Sequence, residues 1–160
     1  MKKVSFVIPC YRSANTIGVV VDEIRDTMPT LPEYDYEIIL VNDCSPDNTL
    51  EVISALALSD RRITAVDLAK NFGQHAALMS GISHSTGDFV VCLDDDGQTP
   101  ANEVGKLLAR LEQDDCDVAM ASYEHKQHSA FRNFGTKLNN RMTEIMLGKP
   151  RDLSMTSYFA

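Results

Sequence analysis

Basic side chains are scarce in most of this chain, and the scarcity is uneven. Fifteen Lys and Arg stand against twenty-three Asp and Glu, a formal net charge of −8. A general nucleic-acid binder needs a basic footprint, so this balance argues against one. Residues 1–123 hold nine basic and twenty acidic side chains, whereas residues 124–160 hold six and three. Cysteine pairs are missing too. Cys10, Cys44, Cys92 and Cys116 lie far apart with no Cys-x-x-Cys, which points to reduced thiols and away from a zinc knuckle or a disulfide framework. No apolar run approaches the ~18 residues of a membrane span. The apolar stretch after Met1-Lys2-Lys3 is broken by Pro9 and does not make a signal peptide. Two glycine-rich phosphate loops are also absent. After the first strand stands Pro9-Cys10-Tyr11-Arg12-Ser13, neither Gly-x-Gly-x-x-Gly nor Gly-x-x-x-x-Gly-Lys-Ser/Thr.

What is there reads as one soluble globular domain of 160 residues, 44% apolar and 24% charged. Short apolar runs alternate with helix-period segments. Residues 4–9, 36–41, 63–68, 88–93 and 117–121 read as strands. A first helix places Ile17, Val20, Val21, Ile24 and Met28 on one face and stops at Pro29. A helix after Thr99-Pro100 does the same with Val104, Leu107, Leu108 and Leu111. Strand and helix in alternation predict an α/β fold, a mainly parallel sheet with helices on both faces. Past the fifth strand lies a polar loop, residues 124–129. A long amphipathic helix follows over 131–147, with Phe131, Phe134, Leu138, Met142, Ile145 and Met146 facing inward. Residues 155–160 read as the beginning of a strand, so the chain is expected to be truncated at its C-terminus.

The most informative run is Asp94-Asp95-Asp96 directly after the apolar strand at 88–93. Carboxylates packed at a strand end repel one another and lose hydration, and a hard divalent cation carrying phosphate oxygens would neutralise them, although such a run taken alone reads more readily as a solvated turn. In parallel sheets, ligands bind outside the carboxyl ends of the strands. Polar residues concentrate there: Pro9-Cys10-Tyr11-Arg12, Asn42-Asp43-Cys44-Ser45, Lys70-Asn71-Phe72-Gly73-Gln74-His75 and the acidic run. A response-regulator receiver does not fit, because its phospho-acceptor Asp would close the third strand, where Asp67-Leu68-Ala69-Lys70 stands.

Taken together, these motifs resemble the inverting family 2 glycosyltransferases, whose fold is the Rossmann-like GT-A type. The resemblance spans essentially the whole chain. It rests on Val7-Ile8-Pro9-Cys10-Tyr11, on residues 41–49, similar to Val-Asp-Asp-Gly-Ser-x-Asp-x-Thr, and on Asp94-x-Asp96 as Asp-x-Asp. Asn71-Phe72-Gly73-Gln74-His75-Ala76-Ala77, Gly87-Asp88 and Asp94-x-Asp96-x-Gln98-x-Pro100 resemble the branch that loads sugars onto polyprenyl phosphates. The resemblance implies metal-dependent, inverting transfer from a UDP-sugar, or less favoured a GDP-sugar, to a polyprenyl phosphate at the cytoplasmic membrane face. Membrane association would come through sequence beyond Ala160. No nucleic-acid partner is expected, and a homo-oligomer is left open. Residues 1–123 would be the nucleotide-binding core and 124–160 the start of the acceptor side, within one catalytic domain.

By the same resemblance, Asp43 would contact the base, and Pro9 and Tyr11 would shape the nucleoside pocket. Asp94 and Asp96 would be the catalytic pair that orients Mg²⁺ or Mn²⁺ on the diphosphate, with Asp96 favoured as direct ligand and Asp94 also on the nucleotide. Asp95 would be a bystander. Lys70, Gln74 and Gln98 lie where diphosphate or sugar is met, although a solvated Lys70 is an equal alternative, and Asp43 with Ser45 and Asn48 could instead cap a helix. His75 reads as structural, and His125 with His128 lacks further zinc ligands. Arg132 and Arg141, with Lys137, would meet the acceptor phosphate or an anionic bilayer, or else form a solvated face. One departure stands out: Thr156-Ser157-Tyr158 occupies the place of a Gly-Asp-Phe/Tyr segment, putting Ser157 where an Asp would assist the acceptor. Two rival readings remain, transfer to a polysaccharide acceptor and a non-catalytic nucleotide-sugar-binding module.

Overall fold

Val4 to Cys10 are buried without interruption, which a strand with one wet face cannot be. They make up most of β1 (Lys2–Cys10), which is paired on both sides, with β2 (Tyr34–Asn42) and with β4 (Phe89–Cys92). Beyond β2 lies β3 (Ile63–Asp67). All three pairings are parallel and the order is β3-β2-β1-β4. Cys10 therefore stands opposite Asn42, and Val7 opposite Cys92. These features come from a computed structural model, which describes residues 1–97, 99–113, 116–121 and 158–160. The chain divides into two compact units, Met1–Met120 with Ser157–Ala160, and Ala121–Thr156; every element named here belongs to the first.

The helices are α1 (Ile17–Thr27), α2 (Thr49–Ser59), α3 (Gln74–His84) and α4 (Val104–Gln113). The expected apolar faces are buried in α1 at Ile17, Val20, Val21 and Ile24, and in α4 at Val104, Leu107 and Leu108. A 3-10 turn, Met28–Thr30, ends α1 at Pro29 as the missing proline N–H requires. From β1 to β3 the chain steps one way across the sheet, then returns past β1 to reach β4. Right-handed crossovers then put α1 and α2 on one face and α3 on the other. On the α3 face, Ala77 and Leu78 pack with Val7, Ile39, Val41 and Cys92. Gly81 lets α3 come this close, because a Cβ there would lie 2.3 Å from Val7 Cγ1. This confirms a mainly parallel α/β sheet covered on both faces.

One expected strand did not form as such. Residues 117–121 contribute only an isolated antiparallel bridge, Met120 to Phe159, and Phe159 bridges Cys92 as well. Ala119 and Ala160 exchange two backbone hydrogen bonds of 2.9 Å. The apolar run Val118-Ala119-Met120 is short, and it pairs antiparallel with the C-terminal residues some forty positions on. The helix expected over residues 131–147 and the loop at 124–129 lie outside the described residues.

The amino ends of the strands are tied by one carboxylate. Glu37 Oε1 accepts from Ser5 Oγ at 2.7 Å and from Thr86 N–H at 2.6 Å, and Glu37 Oε2 accepts from Lys3 Nζ at 2.5 Å. Ser5 Oγ in turn accepts from Gly87 N–H at 2.9 Å. Burial by itself would raise the Glu37 pKa, but the bonds from Lys3, Ser5 and Thr86 outweigh it and hold the carboxyl at about 2. A depressed folded-state pKa contributes stability above the ordinary value of 4.5, lost as pH falls through about 2. Glu37→Gln should cost about 2 kcal/mol at neutral pH. Urea unfolding measured from pH 7 down to pH 2.5 should show that deficit shrinking below pH 4.5; a deficit independent of pH would refute the ionic account.

Candidate active site

Four loops leave the carboxyl edge of the sheet, and they line one cleft of about 380 Å³. Its walls are Pro9, Cys10 and Tyr11 from the end of β1, Asp43 from β2, Asn71, Gly73 and Gln74 from the entry to α3, and Asp94, Asp95 and Asp96 after β4. The strand order reverses between β1 and β4, the switch point at which open parallel sheets offer a crevice. The structure thus brings Pro9, Tyr11, Asp43, Gln74, Asp94 and Asp96 together. Lys70 is exposed and places its ammonium 4.8 Å from the Phe72 ring centre, on the same loop but not among the lining residues. Gln98, Arg132, Arg141, Lys137, His125, His128 and Ser157 lie outside the described residues.

Each loop is held by side chains of its neighbours. Asp43 is only 3% exposed. Its two carboxylate oxygens accept backbone N–H bonds from Phe72 and Gly73, each at 2.8 Å. Gly73 carries φ +88° at the start of α3, a conformation L side chains rarely adopt. Asp43 therefore fixes the shape of the loop that delivers Gln74, and Gln74 Nε2 donates to Asp94 Oδ1 at 3.0 Å. Helix capping by Asp43, the bland alternative for this residue, is not what it does. Asp47 takes that place instead, accepting from Thr49 N–H at 3.3 Å and from the Ser45 and Thr49 hydroxyls, each at 2.6 Å. The Ser45 bond above all, then the Thr49 hydroxyl, hold the Asp47 carboxyl at about 2.

The β1 loop is bound to both sides. Arg12 N–H donates to Ser45 Oγ at 2.7 Å and Ser13 N–H to Thr49 Oγ1 at 2.9 Å. Asp95 Oδ2 accepts from Tyr11 N–H at 3.2 Å and from the Ser13 hydroxyl. The middle residue of the acidic run thus faces back across the crevice to the β1 loop. Two non-glycine residues in these loops adopt left-handed backbone, Arg12 at φ 60° and Cys44 at φ 50°. Cys44 occupies the place of the glycine in the resembled Val-Asp-Asp-Gly-Ser motif, which explains why glycine suits that position.

The chemistry available follows from these groups. Burial pushes the Cys10 thiol far above the ordinary range, with the Asp95 charge adding to it, and Cys92 is raised by burial to about 12. Neither supplies a thiolate nucleophile at neutral pH. Among the described residues no three His, Cys, Asp or Glu side chains are gathered into a metal site of their own. The carboxylates on the cleft wall still suit a hard cation that takes its other oxygens from phosphate and water, the habit of Mg²⁺, and Asp94 and Asp96 are two of those available to it.

A family model described as "Glycosyl transferase family 2" matches residues 5–158. The chain belongs to this family. Over 150 residues, 93% of its length, it is 36% identical to the undecaprenyl-phosphate 4-deoxy-4-formamido-L-arabinose transferase of Yersinia enterocolitica, of which it covers 45%. The glycosyltransferase chain thus spans less than half of that relative. Its fold is similar to that of mannosyl-3-phosphoglycerate synthase from Rubrobacter xylanophilus, with TM-score 0.71 and 20% identity over 99% of this chain and 52% of that one. It is also similar to a mannosyltransferase from Pyrobaculum calidifontis solved with GDP-mannose and Mn²⁺, with TM-score 0.66 and 22% identity over 77% of this chain and 36% of that one.

The role of Asp43 in this glycosyltransferase domain can be read from its two amide bonds. In Asp43→Asn one of the two N–H groups would face an amide NH₂, and in Asp43→Ala both lose their acceptor. Hydrogen exchange at Phe72 and Gly73 should quicken about tenfold or more in Asp43→Ala, with Asp43→Asn between it and the wild type. Unchanged protection in both variants would show that the loop holds its shape without Asp43.

Proposed function

We propose that the cleft binds a nucleoside diphosphate-sugar, UDP-linked in preference to GDP-linked, and that the intact protein transfers the glycosyl unit, with inversion, to a polyprenyl phosphate. The observation that carries this reading is that one cleft is walled by Tyr11, Asp43, Asp94 and Asp96, drawn from three strand ends. The relative named as an undecaprenyl-phosphate transferase supports the acceptor class. The neighbour solved with GDP-mannose and Mn²⁺ supports the donor class and the metal.

On this reading Pro9 and the half-exposed Tyr11 form the wall against which the nucleoside rests, and Asp43 stands at its base. Asp94, oriented by Gln74, and Asp96 face the diphosphate. Asp94 and Asp96 would hold a divalent cation, which when bound would supply Lewis-acid stabilisation of the leaving diphosphate. The acceptor phosphate is already ionised at neutral pH, so this chain needs no strong general base for it. A single displacement by that phosphate on the opposite face of the sugar gives inversion. Residues 1–123 are then the donor side and residues 124–160, with Arg132 and Arg141, the start of the acceptor side. Among the described residues no helix is long and apolar enough to cross a membrane.

Calorimetry of the intact protein with UDP and with GDP, each with and without Mn²⁺, tests the donor site. Binding of one nucleotide is expected with Mn²⁺, and Asp96→Ala should weaken it about a hundredfold or more. If the wild type binds neither nucleotide, the reading is wrong. The acceptor is tested by incubating the intact protein with polyprenyl phosphate and a panel of UDP- and GDP-sugars, then reading the lipid product by mass. Donor turnover without a glycosylated lipid would favour a polysaccharide acceptor, and binding without any turnover a non-catalytic module.

A further inference from the structure

The donor site proposed above straddles the crevice where the strand order reverses, so its two halves hang from different loops. Tyr11 belongs to the exit of β1 and the Asp94 and Asp96 pair to the exit of β4. Backbone pairing between these strands reaches Leu93, whose N–H donates to the Val7 carbonyl at 3.2 Å. Past that point a side chain takes over. Asp95 Oδ2 accepts from Tyr11 N–H at 3.2 Å and from the Ser13 hydroxyl.

The far end of this link is itself anchored. Ser13 is 1% exposed, and its N–H is bound to Thr49 Oγ1 at 2.9 Å, at the first residue of α2. Asp95 is covalently next to both Asp94 and Asp96, so its carboxylate ties the turn that carries them to the β1 loop. A cation at Oδ2 would compete with both of the donors already there.

We propose that Asp95 is a positioning residue: its carboxylate holds the Tyr11 wall in register with the Asp94 and Asp96 pair, so that one nucleoside diphosphate can meet both. The inference rests on the reading of the cleft as a nucleotide-sugar site and adds to it a residue that touches neither base nor metal. Its physical basis is pre-organisation. A ligand gripped at both ends loses affinity when the grips shift by about 1 Å, while a ligand gripped at one end does not. Loss of Asp95 therefore weakens a ligand that spans the crevice and spares one that occupies only the metal side.

The test uses the intact protein with Asp95→Ala, Asp95→Asn and Ser13→Ala, each checked for folding by circular dichroism and thermal melting. Calorimetry with Mn²⁺ measures whichever of UDP or GDP the wild type binds, and separately measures pyrophosphate, which lacks the nucleoside. Asp95→Ala should weaken the nucleotide about tenfold, and Ser13→Ala about threefold, because each removes acceptor or donor from a charge-assisted bond. Asp95→Asn should stay within about threefold of wild type, since its amide oxygen accepts from both donors. Pyrophosphate affinity should stay within about twofold of wild type in all three variants, because pyrophosphate does not cross the crevice.

Nucleotide affinity unchanged in Asp95→Ala would overturn the inference. So would parallel losses of nucleotide and pyrophosphate, with Asp95→Asn as weak as Asp95→Ala, since that pattern marks a metal ligand. Should Asp95→Ala fail to fold, Ser13→Ala decides: a loss confined to the nucleotide supports the register role, and no loss refutes it. A wild type that binds neither UDP nor GDP is a different failure, of the cleft reading itself.

Discussion

A parallel sheet delivers the carboxyl ends of all its strands to one edge, and in this protein that edge is crowded with carboxylates. Asp43 directly follows β2, and Asp94, Asp95 and Asp96 follow β4. Such charges repel one another and lose hydration, so each needs fixed donors or a cation. The loops supply the donors. Backbone N–H groups of Phe72 and Gly73 go to Asp43, Gln74 to Asp94, and Tyr11 with Ser13 to Asp95. The β1 loop is joined to the β2 loop by Arg12 to Ser45 and Ser13 to Thr49. Together these bonds link every loop around the cleft to a neighbour, and the charge that is costly at the sheet edge becomes what shapes the site.

The opposite edge shows the same economy with a different outcome. There Glu37 gathers Lys3, Ser5 and Thr86 into a satisfied network that ties the amino ends of β1 and β2 to the turn before β4. Full satisfaction by protein donors makes it structural. At the carboxyl edge the carboxylates line an open cleft, and that is the physical difference between a brace and a site. Membership of glycosyl transferase family 2 fits this arrangement, since a nucleotide-sugar needs a polar wall for its nucleoside and acidic residues near its diphosphate.

Much of this was legible before any coordinates. Alternating apolar runs and helix-period segments are local signals, and they placed four strands and the buried faces of α1 and α4. The family was legible because its motifs sit at strand ends, where spacing along the chain maps onto position in space. Other features were not legible, for reasons of the same kind. The run at 117–121 has the composition of a strand, but its pairing with Phe159 depends on a segment some forty residues away. The bonds that Asp43 accepts from Phe72 and Gly73 join positions about thirty residues apart, and no local pattern announces them. A glycine just before α3 was the one local hint that this loop has a demanding backbone.

The sequence by itself determined the fold class, the family and which strand ends carry the chemistry, because periodicity and motif spacing are encoded within each short segment. Only the tertiary structure decided how the acidic run is divided. The Asp-x-Asp spacing sets Asp95 apart from Asp94, but nothing local says which partners either carboxylate meets. What separates them is the reversal of strand order, which sets β4 beside β1 and turns one carboxylate toward Tyr11 and Ser13 and the other toward Gln74. Strand order is settled by long-range burial and crossover handedness, and no local pattern of residues contains it.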